Sequence, residues 1–205
     1  MTASRGLVTF VLASQSPARL ATLRRAGVEP EVIVSGVDED AVDAPTTAEL
    51  VTRLAVVKAQ AVADRCPDAL VLGCDSLLDL DGVALGKPGT PDAARDRWRQ
   101  MRGRTAALHT GHHLIDTATG RSVTRAVATR LRFAEVTDDE IDAYCATGEP
   151  SAVAGAFTID GLGGWFVERI DGDPHNVVGL SLPTVRAMLH ELGHSLASIG
   201  YPASD

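Results

Sequence analysis

The stretch from Leu12 through Ala13, Ser14, Gln15, Ser16, Pro17 and Ala18 to Arg19 constrains the fold more than any other part of the chain. The apolar run from Leu7 to Leu12 contains β-branched residues and reads as a buried strand. After it, Leu20, Leu23 and Ala26 recur at helical spacing, and Gly27 supplies a stop. Ser16 is a good helix cap, and Pro17 suits the first helical position, where its missing N–H would have had no partner. A strand that feeds straight into a capped helix leaves free N–H groups and the positive end of the helix dipole facing a crevice. Ser14, Ser16 and Arg19 gather at that point. The arrangement suits an anion, most simply a phosphate; an ordinary strand–turn–helix with a surface arginine satisfies the same pattern.

With 205 residues, 45% of them hydrophobic, the chain has enough material for a sizeable core in one or two domains. Its formal net charge of -8 argues against nonspecific nucleic-acid binding and against docking on an anionic membrane. Positive charge for an anion site must therefore be concentrated locally, and the candidates are Arg19, Arg24, Arg25, Lys58 and Lys87. Cys66, Cys74 and Cys145 are odd in number and form no CxxC pair, which fits reduced thiols in the cytoplasm. No apolar run is long enough to span a bilayer, and no leader pattern opens the chain, so the expectation is a soluble cytoplasmic protein.

Further helices carry clear signals. Thr46-x-x-Glu49 is a capping box followed by Leu50, Leu54, Val57 and Ala61 on one face. Thr90-Pro91 opens a helix with Ala94, Trp98 and Met101 inward, ended by Gly103. Thr137-x-x-Glu140 caps one that buries Ile141, Tyr144 and Cys145, and Pro183 begins the last, with Val185, Met188, Leu189 and Leu192 inward. Strands are expected from Ala69 to Gly73, from Ser76 to Leu80 and from Val83 to Leu85, the last two joined by the hairpin turn Asp81-Gly82. A long alternating strand carries Val123, Val127, Leu131 and Phe133, and another runs from Trp165 to Ile170. Mixing βα units with hairpins predicts an α/β fold with a mixed sheet flanked by helices. The loop after Gly148 is a hinge candidate between two lobes around a cleft.

Asp75 follows the most apolar strand, where a carboxylate needs a metal, a cation or hydrogen bonds; it lines a ligand crevice or caps a turn. Lys87, held between Gly86 and Pro88, is folded back alongside Asp75 by the hairpin. A lysine beside an aspartate near a helix N-terminus reads as a phosphoryl clamp, or as a solvated loop residue. Lys58 borders its helix stripe, as snorkelling lysines do. In Asp38-Glu39-Asp40, Asp38 is a candidate metal ligand, and Glu39 and Asp40 read as a solvated loop. The run Arg95, Arg97, Arg99, Arg102, Arg104 reads as a solvated helix face. His112 and His113 point to opposite faces of a strand, which speaks against zinc. The glycine-rich segment from Gly155 to Gly164 offers close backbone approach to a flat group such as a nucleobase, or forms a tight turn.

Taken together, these segments resemble the Maf family of nucleoside triphosphate pyrophosphatases from Leu12 to Leu189. The motifs stand in family order: Ser14-x-Ser16-Pro17-x-Arg19, Lys58-Ala59, Gly73-x-Asp75-Ser76, Gly86-Lys87-Pro88, then Gly148-Glu149-Pro150 through Gly155 and Gly161-Leu162-Gly163 to Asn176-Val177-Val178-Gly179-Leu180. The resemblance implies one Maf-like domain over residues 1–205, with an elongated Maf/ITPase-like mixed sheet and a central nucleotide cleft. It also implies hydrolysis of a nucleoside triphosphate to the monophosphate and pyrophosphate, with a divalent metal (Mg²⁺ or Mn²⁺), in a homodimer. On the matching positions, Ser14, Ser16, Arg19, Lys58 and Lys87 hold the triphosphate. Asp75 is the catalytic carboxylate and Asp38 stands near the metal. Ala18 and Asp160 depart from both base-preference patterns of the family, which leaves Asp160 either as a base contact or as a turn residue. The alternative to an enzyme is a nucleotide-binding regulator without turnover; a general phosphatase would release orthophosphate instead.

Overall fold

The computed structural model describes residues 7–202. Strand β1 (Thr9–Ala13) leads into helix α1 (Pro17–Arg25), and a short β2 (Glu31–Val32) follows. Next come α2 (Thr47–Ala63), the long β3 (Ala69–Leu80), β4 (Val83–Leu85) and α3 (Pro91–Met101). Two more long strands, β5 (Thr105–Asp116) and β6 (Arg121–Phe133), precede α4 (Asp138–Ala146). The chain then runs through β7 (Val167–Asp171), α5 (Pro174–Val178) and α6 (Leu182–Glu191). The strands form one seven-stranded sheet in the order β2-β1-β3-β5-β6-β7, with β4 paired to β3. β1 runs parallel to β2 and β3, and the other pairings are antiparallel. The expected mixed α/β architecture is the one observed.

The helix starts follow their caps. Ser16, Thr46, Thr90, Thr137 and Ser181 each accept a backbone N–H in the first turn of the helix they open. Asp81 and Gly82 both have positive φ, at 54° and 83°, which is the backbone of a two-residue hairpin turn. Several expectations are corrected. Leu7 lies outside β1 and is 80% exposed. The two strands expected on either side of Cys74 and Asp75 are one, because β5 pairs with β3 from Leu70 to Asp79 and keeps its backbone groups partnered after β1 has ended. The last strand starts at Val167 rather than Trp165; residues Leu162–Phe166 form a 3-10 turn that leaves Trp165 86% exposed.

α2 covers one face of the sheet. Its buried side carries Val51, Leu54, Ala55, Lys58, Ala59 and Val62, whereas Leu50 and Val57 are half-buried and Ala61 is exposed. The expected stripe is thus rotated, because the helix lies flat on two glycines. A Cβ on Gly73 would overlap the Ala55 carbonyl, and one on Gly111 would overlap that of Val51. On the other face two apolar clusters sit side by side. One packs Trp98, Phe133, Ile141 and Tyr144 on Leu78 and Leu108; the other packs Leu23, Met188 and Leu189 on Leu72 and Leu114. Register places Ser76 opposite Thr110 and Cys74 opposite His112 between them. A buried polar belt therefore divides the two clusters.

Candidate active site

β1 stops at Ala13, opposite Gly73, while β3 continues with β5 on its other side. Beyond Gly73 the β1 side of β3 is open, and the N-terminus of α1 stands at the gap. A cleft of about 1260 Å³ occupies it, lined among others by Ser14, Ala18, Lys58, Asp75, Lys87 and Thr158. A second groove of about 470 Å³, by Tyr144, Leu162 and Trp165, holds Glu135 and Glu140 and no cationic side chain. The larger cleft gathers the cationic side chains Arg19, Lys58 and Lys87 beside Glu39, Asp40 and Asp75, so of the two it is the one that can meet an anion with positive charge.

Asp75 projects from β3 on the side facing α2. Its Oδ1 accepts a hydrogen bond from Lys58 Nζ at 2.6 Å, and the same ammonium reaches Glu39 Oε1 at 2.8 Å. Both Lys58 and Asp75 side chains are 9% exposed. A lysine so deep is tolerated because it is paired; it stands within the inward stripe of α2 and does not snorkel from its border. Glu39, read from sequence as a solvated loop residue, is the acid that closes this triad. Asp38 is not brought to it: its carboxylate accepts the Asp40 N–H at 3.2 Å and caps the 3-10 turn Glu39–Ala41. Neighbouring carboxylates in that turn point to different sides.

Arg19 is 8% exposed and held from several directions. Nε donates to the Gly179 carbonyl at 2.8 Å, Nη1 to Ser14 Oγ at 3.1 Å and to the Cys74 carbonyl at 2.9 Å, and Nη2 to Ser76 Oγ at 2.9 Å. Of the five guanidinium N–H donors, one is left for a ligand. Among the described residues no carboxylate pairs with it. Arg19 therefore pins α1, β3 and the loop after α5 together and adds an unbalanced positive charge to the cleft wall. Ser14 Oγ accepts from both Arg19 and the Ser16 N–H at 3.1 Å, which frees its own proton for a ligand oxygen. Ser16 Oγ accepts the Arg19 N–H at 3.4 Å and acts as the cap.

Lys87 lines the same cleft as Asp75, is exposed, and has no carboxylate partner among the described residues. Asp160 lies at the rim and is not among the lining residues; Arg25 Nη1 stands 3.5 Å from its Oδ2, and the Thr158 hydroxyl donates to its Oδ1. The glycine-rich segment wraps a protein group. Glu149 accepts the N–H groups of Leu162 and Gly163, each at 3.0 Å, and the Tyr144 hydroxyl at 2.7 Å. A Cβ on Gly163 would overlap that hydroxyl, so the close backbone approach serves Tyr144. His112 accepts the Ser181 N–H at 2.9 Å, and burial pushes its pKa down to about 4. Burial pushes the Cys74 thiol up to about 12, so it stays protonated beside the site.

Known proteins with similar sequences share nearly the whole chain. A Streptomyces coelicolor protein named nucleoside triphosphate pyrophosphatase is 58% identical over 199 residues, covering 96% of each chain. Proteins of the same name from Saccharopolyspora erythraea and Rhodococcus jostii are 54% and 53% identical, over 94% of this chain and 97% and 96% of theirs. In structure, the Staphylococcus aureus Ham1 protein aligns with a TM-score of 0.41 at 15% identity, over 62% of this chain and 72% of that one. The profile of the Maf-like protein family matches residues 9–192, and the chain belongs to that family.

Proposed function

We propose that this cleft hydrolyses a nucleoside triphosphate between its α and β phosphates and releases the monophosphate and pyrophosphate. The observation that carries the reading is the Lys58 ammonium held between Asp75 and Glu39, opposite the N-terminus of α1. Two carboxylates and an anion-accepting wall then share one cleft. The reading agrees with the name that the sequence relatives bear.

The Ala18 N–H, left open in the first turn of α1 between Pro17, which has none, and the capped Arg19 N–H, binds phosphate oxygens together with the free Ser14 proton. Arg19 and Lys58 supply charge from behind. Asp75 binds Lys58 through Oδ1, and its other oxygen is free to orient a water and take its proton. Lys87 meets the charge that grows on the departing pyrophosphate. Asp75 and Glu39 are hard oxygen donors drawn to one cationic centre, and they suit a divalent cation. No group of three or more His, Cys, Asp or Glu converges among the described residues, so Asp75 and Glu39 would be the residues to hold such a cation, and it would bind together with the substrate. Mg²⁺ or Mn²⁺ bound there supplies charge neutralisation on the phosphates. Asp160, tied to Arg25 and Thr158, shapes the rim in this reading.

Free, buried cysteines support a reducing cytoplasmic setting, and the exposed Leu162 and Trp165 support a homodimer. Among the described residues no helix is long and apolar enough to cross a membrane. The test is pyrophosphate release from a panel of triphosphates with Mg²⁺ or Mn²⁺. Pyrophosphate from at least one of them is the expected result. Orthophosphate instead would identify a phosphatase, and tight binding without any turnover would identify a nucleotide-binding regulator.

A further inference from the structure

The arginines of α3 and the turn after it differ in one respect. Arg95 reaches Asp92 at 2.6 Å and Asp142 at 2.8 Å, Arg99 reaches Asp96 at 3.2 Å, Arg102 reaches Asp138 at 2.8 Å, and Arg104 pairs with Asp81. Arg97 is half-buried and, among the described residues, has no carboxylate. Burial lowers its pKa, which is the cost of placing an unbalanced cation there. Its Nη1 donates instead to the carbonyl oxygen of Gly86. That oxygen also accepts the Gly155 N–H at 3.1 Å, while the Gly89 N–H donates to Ser151 at 3.1 Å. The peptide segment on both sides of Lys87 is thereby fastened to α3 and to the chain after α4.

We propose that Arg97 is a positioning residue for Lys87. It fixes the Gly86 carbonyl and, through the adjoining peptide, the point from which the Lys87 side chain enters the cleft. Lys87 carries four flexible carbons and has no side-chain partner among the described residues, so its aim depends on that anchor. The proposal rests on the reading of Lys87 as the lysine that meets the pyrophosphate. An arginine suits the task better than a shorter donor because its fork reaches the carbonyl while its stem packs along the helix.

The experiment is a double-mutant cycle on the full chain with Mg²⁺ and a triphosphate that it turns over: Arg97→Met, Lys87→Ala and both together, with kcat and KM measured separately. Methionine keeps helix propensity and the apolar stem, and thermal unfolding confirms the fold of each variant. Arg97→Met is expected to lower kcat about tenfold or more when Lys87 is present, since misaligned catalytic groups lose rate steeply. It should change kcat less than twofold in the Lys87→Ala background. Arg97→Lys, which keeps a donor, should recover part of the loss. An equal loss in both backgrounds, or no loss with Arg97→Met while Lys87→Ala is impaired, overturns the positioning role alone. A silent Lys87→Ala overturns the reading of Lys87 and this proposal with it.

Discussion

Asp75 is the residue whose replacement separates chemistry from binding. Asp75→Asn keeps the shape and the contact distance but removes the proton acceptor, so kcat should fall by about 10² to 10⁴ while nucleotide affinity changes little. Near-normal turnover in that variant, measured by pyrophosphate release, would remove Asp75 from the chemistry. Ser14, Asp75 and Lys87, which all line the cleft, stand out in the sequence because each is a polar side chain where its neighbours predict an apolar strand or a stiffened turn, whereas Lys58 reads from its helix as a snorkelling residue. Glu39 was not legible. Three consecutive acids in a loop have no periodicity, and only the position of Lys58 shows which of them turns inward. The saturation of Arg19 was equally hidden, since the carbonyl that holds its Nε belongs to Gly179, 160 residues away. Arg97 was concealed by its company, a run of arginines whose other members pair with acids on the surface.

Among the elements, caps and hairpin turns were readable because they depend on neighbours in sequence. β5 was readable only in part. Its histidines, threonines and Gly111 break the alternation of a half-buried strand, yet it is buried along most of its length by pairing on both edges and by α2. The rotated stripe of α2 has the same origin, for nothing inside the helix announces the glycines it lies on. His112 shows what such burial does. It is fully buried and accepts the N–H that opens α6, and burial first, then the nearby Arg19, hold its pKa near 4 against an ordinary 6.5. The unfolded chain therefore takes up a proton near pH 6.5 that the folded chain refuses until about pH 4. Stability is complete above that range and declines as pH falls through it, by roughly 3 kcal/mol in all. His112→Gln keeps an acceptor for Ser181, and denaturant unfolding between pH 7 and 4 should show a flatter profile than the parent. Parallel profiles would clear His112 of this effect.

At the scale of the whole molecule, the mixed sheet followed from the sequence, since βα units and hairpins alternate along it, but the order of strands did not. That order makes β3 and β5 common to both apolar clusters and to the layer beneath α2. The lobes on either side of the polar belt should thus melt in one calorimetric transition; two resolved transitions would show that they fold independently. The chain holds two lysines, and both line the cleft. One is exposed and has no carboxylate partner among the described residues, and the other is buried between carboxylates. Apart from the terminal amine, an amine-acylating reagent thus finds a single open target on a molecule of 205 residues, and that target lies at the mouth of the proposed site. Inactivation should follow the addition of one acyl group to Lys87 by mass, and bound nucleotide should slow it. The scarcity of lysine, which says little about the fold, makes this protein a natural candidate for attaching one probe in the cleft proposed as its active site.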